Sequence, residues 1–252
     1  MSPQAATRFA DVAEPVSHLQ PPSKPDEFKT PLDAFNDVSD LVSPTAGLSK
    51  IFDWAFGEDV NPVELVKKYF AGDWEAYVKC GQAWRNLSAF CEGVSENIKA
   101  GNELLDGTWD GNAADAAFVY FDTLRRNLLD IQGSLAAMGA EYETAAYGVW
   151  STAEVLGQII AQLCDQALLA LIKLAATSAL GWTVIGAVAG LAAIALEIEQ
   201  IADLWSQATA KINTLQTAID GIYGQLATLG GEVAAGLNGF PLPRASYDFP
   251  DA

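Results

Sequence analysis

No proline falls between Pro62 and Pro241, and across that interval the apolar residues return every seven positions. Tyr77, Trp84, Cys91, Ile98 and Leu105 form one row. Cys80, Leu87, Val94 and Gly101 form the row three residues on. A second pair runs Phe121, Leu128, Leu135, Tyr142, Val149, Leu156, Leu163 beside Leu124, Ile131, Met138, Ala145, Thr152, Ile159. The third and cleanest runs Leu191, Ile198, Trp205, Ile212, Ile219, Leu226, Val233 beside Ile194, Ile201, Ala208, Leu215, Ile222, Leu229. A 3.5-residue period keeps one stripe of a helix facing a partner and imposes a left-handed supercoil. Strand-type alternation is absent over any comparable length, and a proline-free interval is what long helices require. The expected fold is all-α: an elongated antiparallel bundle of long heptad-repeat helices.

Between the first two seams lies Trp109-Asp110-Gly111. Gly107 and Gly111 allow backbone conformations barred to other residues. Asn112 is placed to N-cap the next helix, with Asp115 favourable to its dipole. Upstream, a short helix from about Pro62 is expected to stop at Gly72-Asp73, with Asp73 capping the longer helix. So short a connection as residues 107–111 predicts an antiparallel hairpin.

The chain carries 14 Lys and Arg against 32 Asp and Glu, a net charge of −18. That balance argues against nucleic acid and against docking on anionic lipid through a basic patch. Residues 1–48, rich in Pro, Ser, Asp and Glu without sustained periodicity, read as a disordered arm. A helical bundle is expected over 49–238. It comprises a hairpin at about 62–150, an apolar hairpin at about 164–200 and a return helix to about 236, followed by a flexible tail over 239–252. The first twenty residues lack the basic stretch and apolar core of a secretory signal peptide.

Cys80 and Cys91 lie on one expected helix, roughly 16 Å apart by helical rise, too far for a bridge. Both occupy seam positions and read as small buried hydrophobes. A bridge from one of them to Cys164 stays open. The single histidine, His18, lies in the arm, which argues against multi-histidine metal sites and against Ser-His-Asp or Cys-His chemistry. The sequence contains no nucleophile elbow, Walker loop or dinucleotide fingerprint. The acidic residues read as solvated helix faces. The expectation is a protein without enzymatic activity and without a cofactor or metal.

Leu174 to Leu196 contains no charged residue and is long enough to span a bilayer. Gly186 and Gly190 give it the GxxxG spacing used for close helix approach in membranes. Eight of its residues are Leu, Ile or Val; these contribute about −2.4 to −4.8 kcal/mol to insertion, partly offset by Gly, Ser and Thr. Thr177-Ser178 and Gly181-Trp182-Thr183 read as a turn, which makes the segment the apex of a helical hairpin. Two helices apolar nearly all round need a cover. Three covers are open: the long helix bending back near Gly133, Gly139, Gly148 or Gly157; a partner chain; or a membrane. The cluster Ile51, Phe52, Trp54, Phe56 is a further candidate to fold onto the bundle.

Gly72-Asp73-Trp74-Glu75 opens the first long helix, and Gly107-Thr108-Trp109-Asp110-Gly111-Asn112-Ala113-Ala114 opens the second. The tail, Leu242 to Asp251, contains Tyr247-x-x-x-Asp251. This order resembles the WXG-type, Esx-like proteins of type VII secretion, especially the longer actinobacterial members. The resemblance covers about residues 60–150 and, by motif, the tail. It implies that Trp109 and Gly111 are the turn element of an export and partner-recognition signal, and that Tyr247 and Asp251 are its tail element. Family members pair as antiparallel hairpins into four-helix bundles, the turn of one chain lying near the tail motif of its partner. Here the tail motif follows the third seam instead of the second helix, and Tyr69-x-x-x-Asp73 matches the same pattern.

The resemblance implies a secreted, non-enzymatic helical substrate acting through protein–protein binding. Its partners would be the type VII machinery and a small WXG-type chain or a second copy as homodimer, with cell-envelope association as a further expectation. In the family that the chain resembles, larger members often carry a toxin domain after the helical part; with Ala252 just past the tail motif, the expectation here is that no such domain is present. The alternative is a membrane-active protein that inserts its apolar hairpin 164–200, oligomerising through Gly186 and Gly190.

Overall fold

The computed structural model describes residues 10–32, 46–57, 61–178 and 184–241. It is mostly helical, with no strand among the described residues. The helices are α1 (Ala46–Phe56), α2 (Pro62–Phe70), α3 (Trp74–Asp106), α4 (Asn112–Ser178) and α5 (Val184–Asn238). A 3-10 turn, Pro15–His18, precedes them.

Local chemistry sets the boundaries. Asn61 Oδ1 accepts from the Val63 and Glu64 amides at 3.0 and 3.3 Å, and Pro62 stands where an N–H would have had no helical partner. Asp73 Oδ1 accepts from Ala76 N at 3.0 Å and caps α3, as its place in the sequence predicts. At the head of α4 the expected cap moves by one residue. Gly111, not Asn112, has the carbonyl that takes the first helical bonds, from Ala114 N at 2.8 Å and Asp115 N at 3.1 Å. Gly111 has φ +104°, a conformation that disfavours any residue with a Cβ, so glycine sets the cap where a polar side chain was expected. α4 then runs without interruption past Gly133, Gly139, Gly148 and Gly157.

Packing divides the chain into two compact units. One comprises Met1–Ser23, Val78–Glu143 and Ile222–Ala252; the other comprises Lys24–Tyr77 and Thr144–Gly221. In the second unit, Val149, Leu156, Ile160 and Leu163 of α4 meet Ile194, Ile201, Ala208 and Ile212 of α5. Leu48, Ile51, Phe52, Val63, Val66 and Phe70 of α1 and α2 complete that core. Thus α1 and α2 cover this part of the apolar helices within the chain. Burying each large aliphatic or aromatic side chain is worth about 1.5–3 kcal/mol.

The first unit is built differently. Cys91, Ile131 and Leu135 form a small core, flanked by Trp84, Leu87, Phe90, Leu128, Val233 and Phe240. Contacts climb α3 as they descend α4: Gly81 against Gly139, Ser88 with Gln132, Asn102 with Phe118. On α3 the deeply buried line is Gly81, Ser88, Ser95 and Asn102, one residue on from the row Cys80, Leu87, Val94, Gly101. The displacement has a physical cause. A Cβ on Gly81 would stand 2.9 Å from Gly139 O, and one on Gly139 would stand 2.9 Å from Gly81 O, so small residues take the inner line where the backbones come closest. Cys80, expected as a buried hydrophobe, is exposed as a result, while Cys91 and Cys164 are buried and all three are free thiols. Phe121, expected in the α4 seam, is also exposed, whereas Ile131 through Leu163 of the same rows are buried or half-buried.

Residues 10–32 fall within the segment whose composition predicts disorder, yet they carry defined contacts. Val12 and Ala13 bond to Asn97, and Phe28 is buried edge-to-face on Tyr147 at a centroid distance of 5.5 Å. Composition registers the scarcity of apolar residues; it does not register single anchors or side-chain amides waiting on a helix.

Candidate interaction surfaces

The turn between α3 and α4 is closed by its own backbone. Gly107 N donates to Glu103 O at 3.2 Å, while Thr108 N and Trp109 N donate to Leu105 O at 3.0 and 2.9 Å. Thr108 Oγ1 donates to Leu104 O at 2.9 Å, so the last carbonyls of α3 are satisfied locally. With its amide engaged in the turn, Trp109 leaves 45 % of its surface exposed. An indole held out by a rigid turn is a typical anchor for a partner's surface. A Cβ on Gly111 would meet nothing within 4 Å, so backbone conformation and not space selects glycine there.

The start of the tail is pinned in the same unit. Phe240 packs beside Cys91, Ile131 and Leu135. Asn127 Nδ2 donates to Gly239 O at 2.8 Å, and Tyr120 Oη donates to Pro241 O at 2.9 Å. Tyr247 and Asp251 lie outside the described residues. Sequence reasoning missed Tyr120 and Asn127, because each is an ordinary polar residue on a helix and only the returning chain gives it a partner.

The apolar stretch Leu174–Leu196 belongs to two helices, α4 ending at Ser178 and α5 beginning at Val184. Gly186 and Gly190 sit in α5; their surroundings, like residues Gly181-Trp182-Thr183, lie outside the described residues. Just outside the uncharged stretch stand Lys173 and Glu197, and they pair with each other. Glu197 is only 2 % exposed, and its Oε2 lacks a hydrogen-bond partner. Burying a carboxylate is costly without its counter-ion, so the two charges at the edges of the stretch close its base as a neutral pair. Around the pair, Leu168, Leu169, Ile172 and Leu196 are exposed. Among the described residues one helix segment, Asn112–Ala176, contains a window long and apolar enough to cross a membrane, and 39 % of that window is buried.

Burial raises the Cys91 thiol above its ordinary value. Burial, and then the Asp165 carboxylate, push Cys164 up to about 11. Both buried thiols are therefore poor nucleophiles at neutral pH. Among the described residues, no group of three or more His, Cys, Asp or Glu side chains could hold a metal ion.

No protein-family model matches the chain, and neither the curated proteins nor the solved structures provide a match.

Proposed function

We propose that this chain is a helical substrate of type VII secretion, similar to the WXG-type proteins, that acts by binding protein partners. In this reading the helices form an antiparallel bundle with heptad seams. The Trp109–Gly111 turn and the Tyr247/Asp251 tail are two halves of one export signal.

The observation that best supports the reading is where the tail begins. Tyr120 and Asn127 hold Pro241 and Gly239, so the chain enters its tail near the first turns of α4. From Asn112 to Tyr120 the helical rise is about 12 Å. Six residues on from Pro241 comes Tyr247, an extended reach of roughly 20 Å. Six extended residues are long enough for that interval, which supports the reading even though the motif follows the third seam.

The test is fractionation of an actinobacterial host with an active type VII system, comparing the natural chain with Tyr247→Ala/Asp251→Ala and Trp109→Ala. The expected outcome is protein in the supernatant that disappears in both variants. Secretion unchanged in the variants, or a purely cytosolic natural chain, would overturn the reading. A second reading, insertion into a bilayer, is favoured by the exposed Leu168, Leu169, Ile172 and Leu196 around the neutral pair. It predicts instead a signal that persists in carbonate-washed membrane.

A further inference from the structure

Four steps in the chain place glycine directly after aspartate or asparagine: Asp106-Gly107, Asp110-Gly111, Asp220-Gly221 and Asn238-Gly239. At such a step the glycine nitrogen can close a five-membered imide on the preceding side chain, because no Cβ crowds its approach. A folded chain permits this where the step is open to water and the amide is free. An N–H already held by an acceptor must first give up that bond and turn.

All of these residues are exposed, so access to water does not separate the four steps. Hydrogen bonding does. Gly107 N donates to Glu103 O at 3.2 Å, and Gly239 N donates to Ala235 O and to Gly236 O, both at 3.0 Å. Gly221 lies inside α5, where the helical ladder engages its amide. At Asp110-Gly111 both reacting groups are free: among the described residues neither Gly111 N nor the Asp110 carboxylate has a hydrogen-bond partner. Gly111 is held instead through its carbonyl, which accepts from Ala114 N and Asp115 N, and a Cβ on it would meet nothing within 4 Å. The fold thus locks three of the steps and leaves the fourth open.

We propose that Asp110 is a site of spontaneous isoaspartate formation, and that the product is a methyl acceptor for a carboxyl methyltransferase using S-adenosylmethionine. Gly111 N attacks Cγ of Asp110. The N–Cγ bond forms and a Cγ–O bond breaks, and the departing oxygen leaves as water with the amide and carboxyl protons. Water then adds back to the imide. Addition at Cγ restores aspartate; addition at the main-chain carbonyl leaves the chain running through Cγ and frees the α-carboxylate. In the transfer, the S–CH3 bond of the sulfonium breaks as an O–CH3 bond forms on that carboxylate, releasing a thioether.

The product lengthens the main chain by one carbon, about 1.5 Å. The insertion falls between Trp109, 45 % exposed, and the carbonyl that opens α4, so it changes how the indole is presented. This inference stands independently of the secretion reading.

The full-length chain is incubated at neutral pH, folded and in urea, and isoaspartate at each step is followed by peptide mapping. In urea the three Asp-Gly steps should react at similar rates. In the folded chain position 110 should keep most of its unfolded rate, while 106, 220 and 238 each fall at least tenfold. Suppression at 110 equal to that at the other steps would overturn the site.

The incubated folded chain is then treated with a purified isoaspartyl methyltransferase and a methyl-labelled donor. Asp110→Glu keeps the charge but would need a six-membered ring, so label should fall at least tenfold in that variant. Undiminished label in Asp110→Glu would place the product elsewhere and overturn the assignment. A natural chain that maps isoaspartate to 110 yet takes up no label would overturn the methyl-acceptor role.

Discussion

The two units solve the same packing problem by opposite means. In the unit containing Thr144–Gly221, large aliphatic side chains such as Leu156, Ile160, Leu163, Ile194 and Ile201 interdigitate, with α1 and α2 laid over them. In the unit containing Val78–Glu143, α3 and α4 meet across Gly81, Gly139, Ser88 and Asn102, where close backbone approach replaces side-chain volume. Ser88 Oγ donates to Gln132 O and Asn102 Nδ2 to Phe118 O, both at 3.1 Å, so the polar residues of that line reach across to α4's backbone and side chains. The first design depends on volume and tolerates no cavity. The second depends on the absence of atoms and tolerates no addition.

That contrast can be broken from the side of volume first. Ile160→Ala should cost about 4 kcal/mol, as expected for a fully buried aliphatic truncated without local collapse. Urea unfolding read by hydrogen exchange should show the loss in amides of residues 144–170. A uniform loss across both units would mean that they unfold as one and that the distinction is only structural.

Next comes the charge at the base of the apolar stretch. Lys173→Met strands the buried Glu197 carboxylate, and because Lys173 is partly in solvent the expected cost is about 2–3 kcal/mol. Lys173→Met/Glu197→Met should recover most of it, since an apolar pair of similar volume needs no compensation. Failure of the double variant to recover would show that the pair acts through more than its mutual neutralisation.

From the side of added atoms, Gly139→Ala should cost about 1–3 kcal/mol, because its Cβ meets the Gly81 carbonyl and the Arg85 stem. Gly133→Ala, with open space around it, serves as the control and should be neutral or slightly stabilising. Equal behaviour of the two variants, in thermal melts, would remove the close-approach account of the first unit.

The smallest effect concerns the thiols. Iodoacetamide at neutral pH should label the exposed Cys80 well before Cys91 or Cys164. The folded state raises Cys164 from 9.0 to about 11. Its contribution to stability is thus fully present below pH 9, and is lost as pH rises through about 11, because the unfolded chain gives up the proton first. Cys164→Ala should flatten that part of the alkaline decline; an unchanged pH profile would mean that Cys164 is not desolvated as its position indicates.

Much of this architecture is legible in the chain. The proline-free interval and the seven-residue rows specify three long helices, and Asp73 marks the start of the first. The residues of the third pair of rows from Ile194 to Val233 are buried or half-buried. The Trp109–Gly111 turn follows from glycine chemistry. Less legible is which line of α3 lies innermost, since apolarity points to Cys80 and Leu87 while proximity of backbones selects Gly81 and Ser88. Small and polar residues carry no hydrophobic signal, so a pattern search passes over them.

Sequence alone therefore determined that the protein is helical, where its long helices run and where the chain turns between α3 and α4. Those properties arise from local torsional preferences and from periodicity along one chain. Only the tertiary structure decided which residues are paired at a distance: Asn97 with Val12 and Ala13, Tyr120 with Pro241, Lys173 with Glu197. Such pairings join residues as far as 121 positions apart. They depend on three-dimensional proximity, for which an amide, a phenol or a carboxylate on a helix surface carries no mark in sequence.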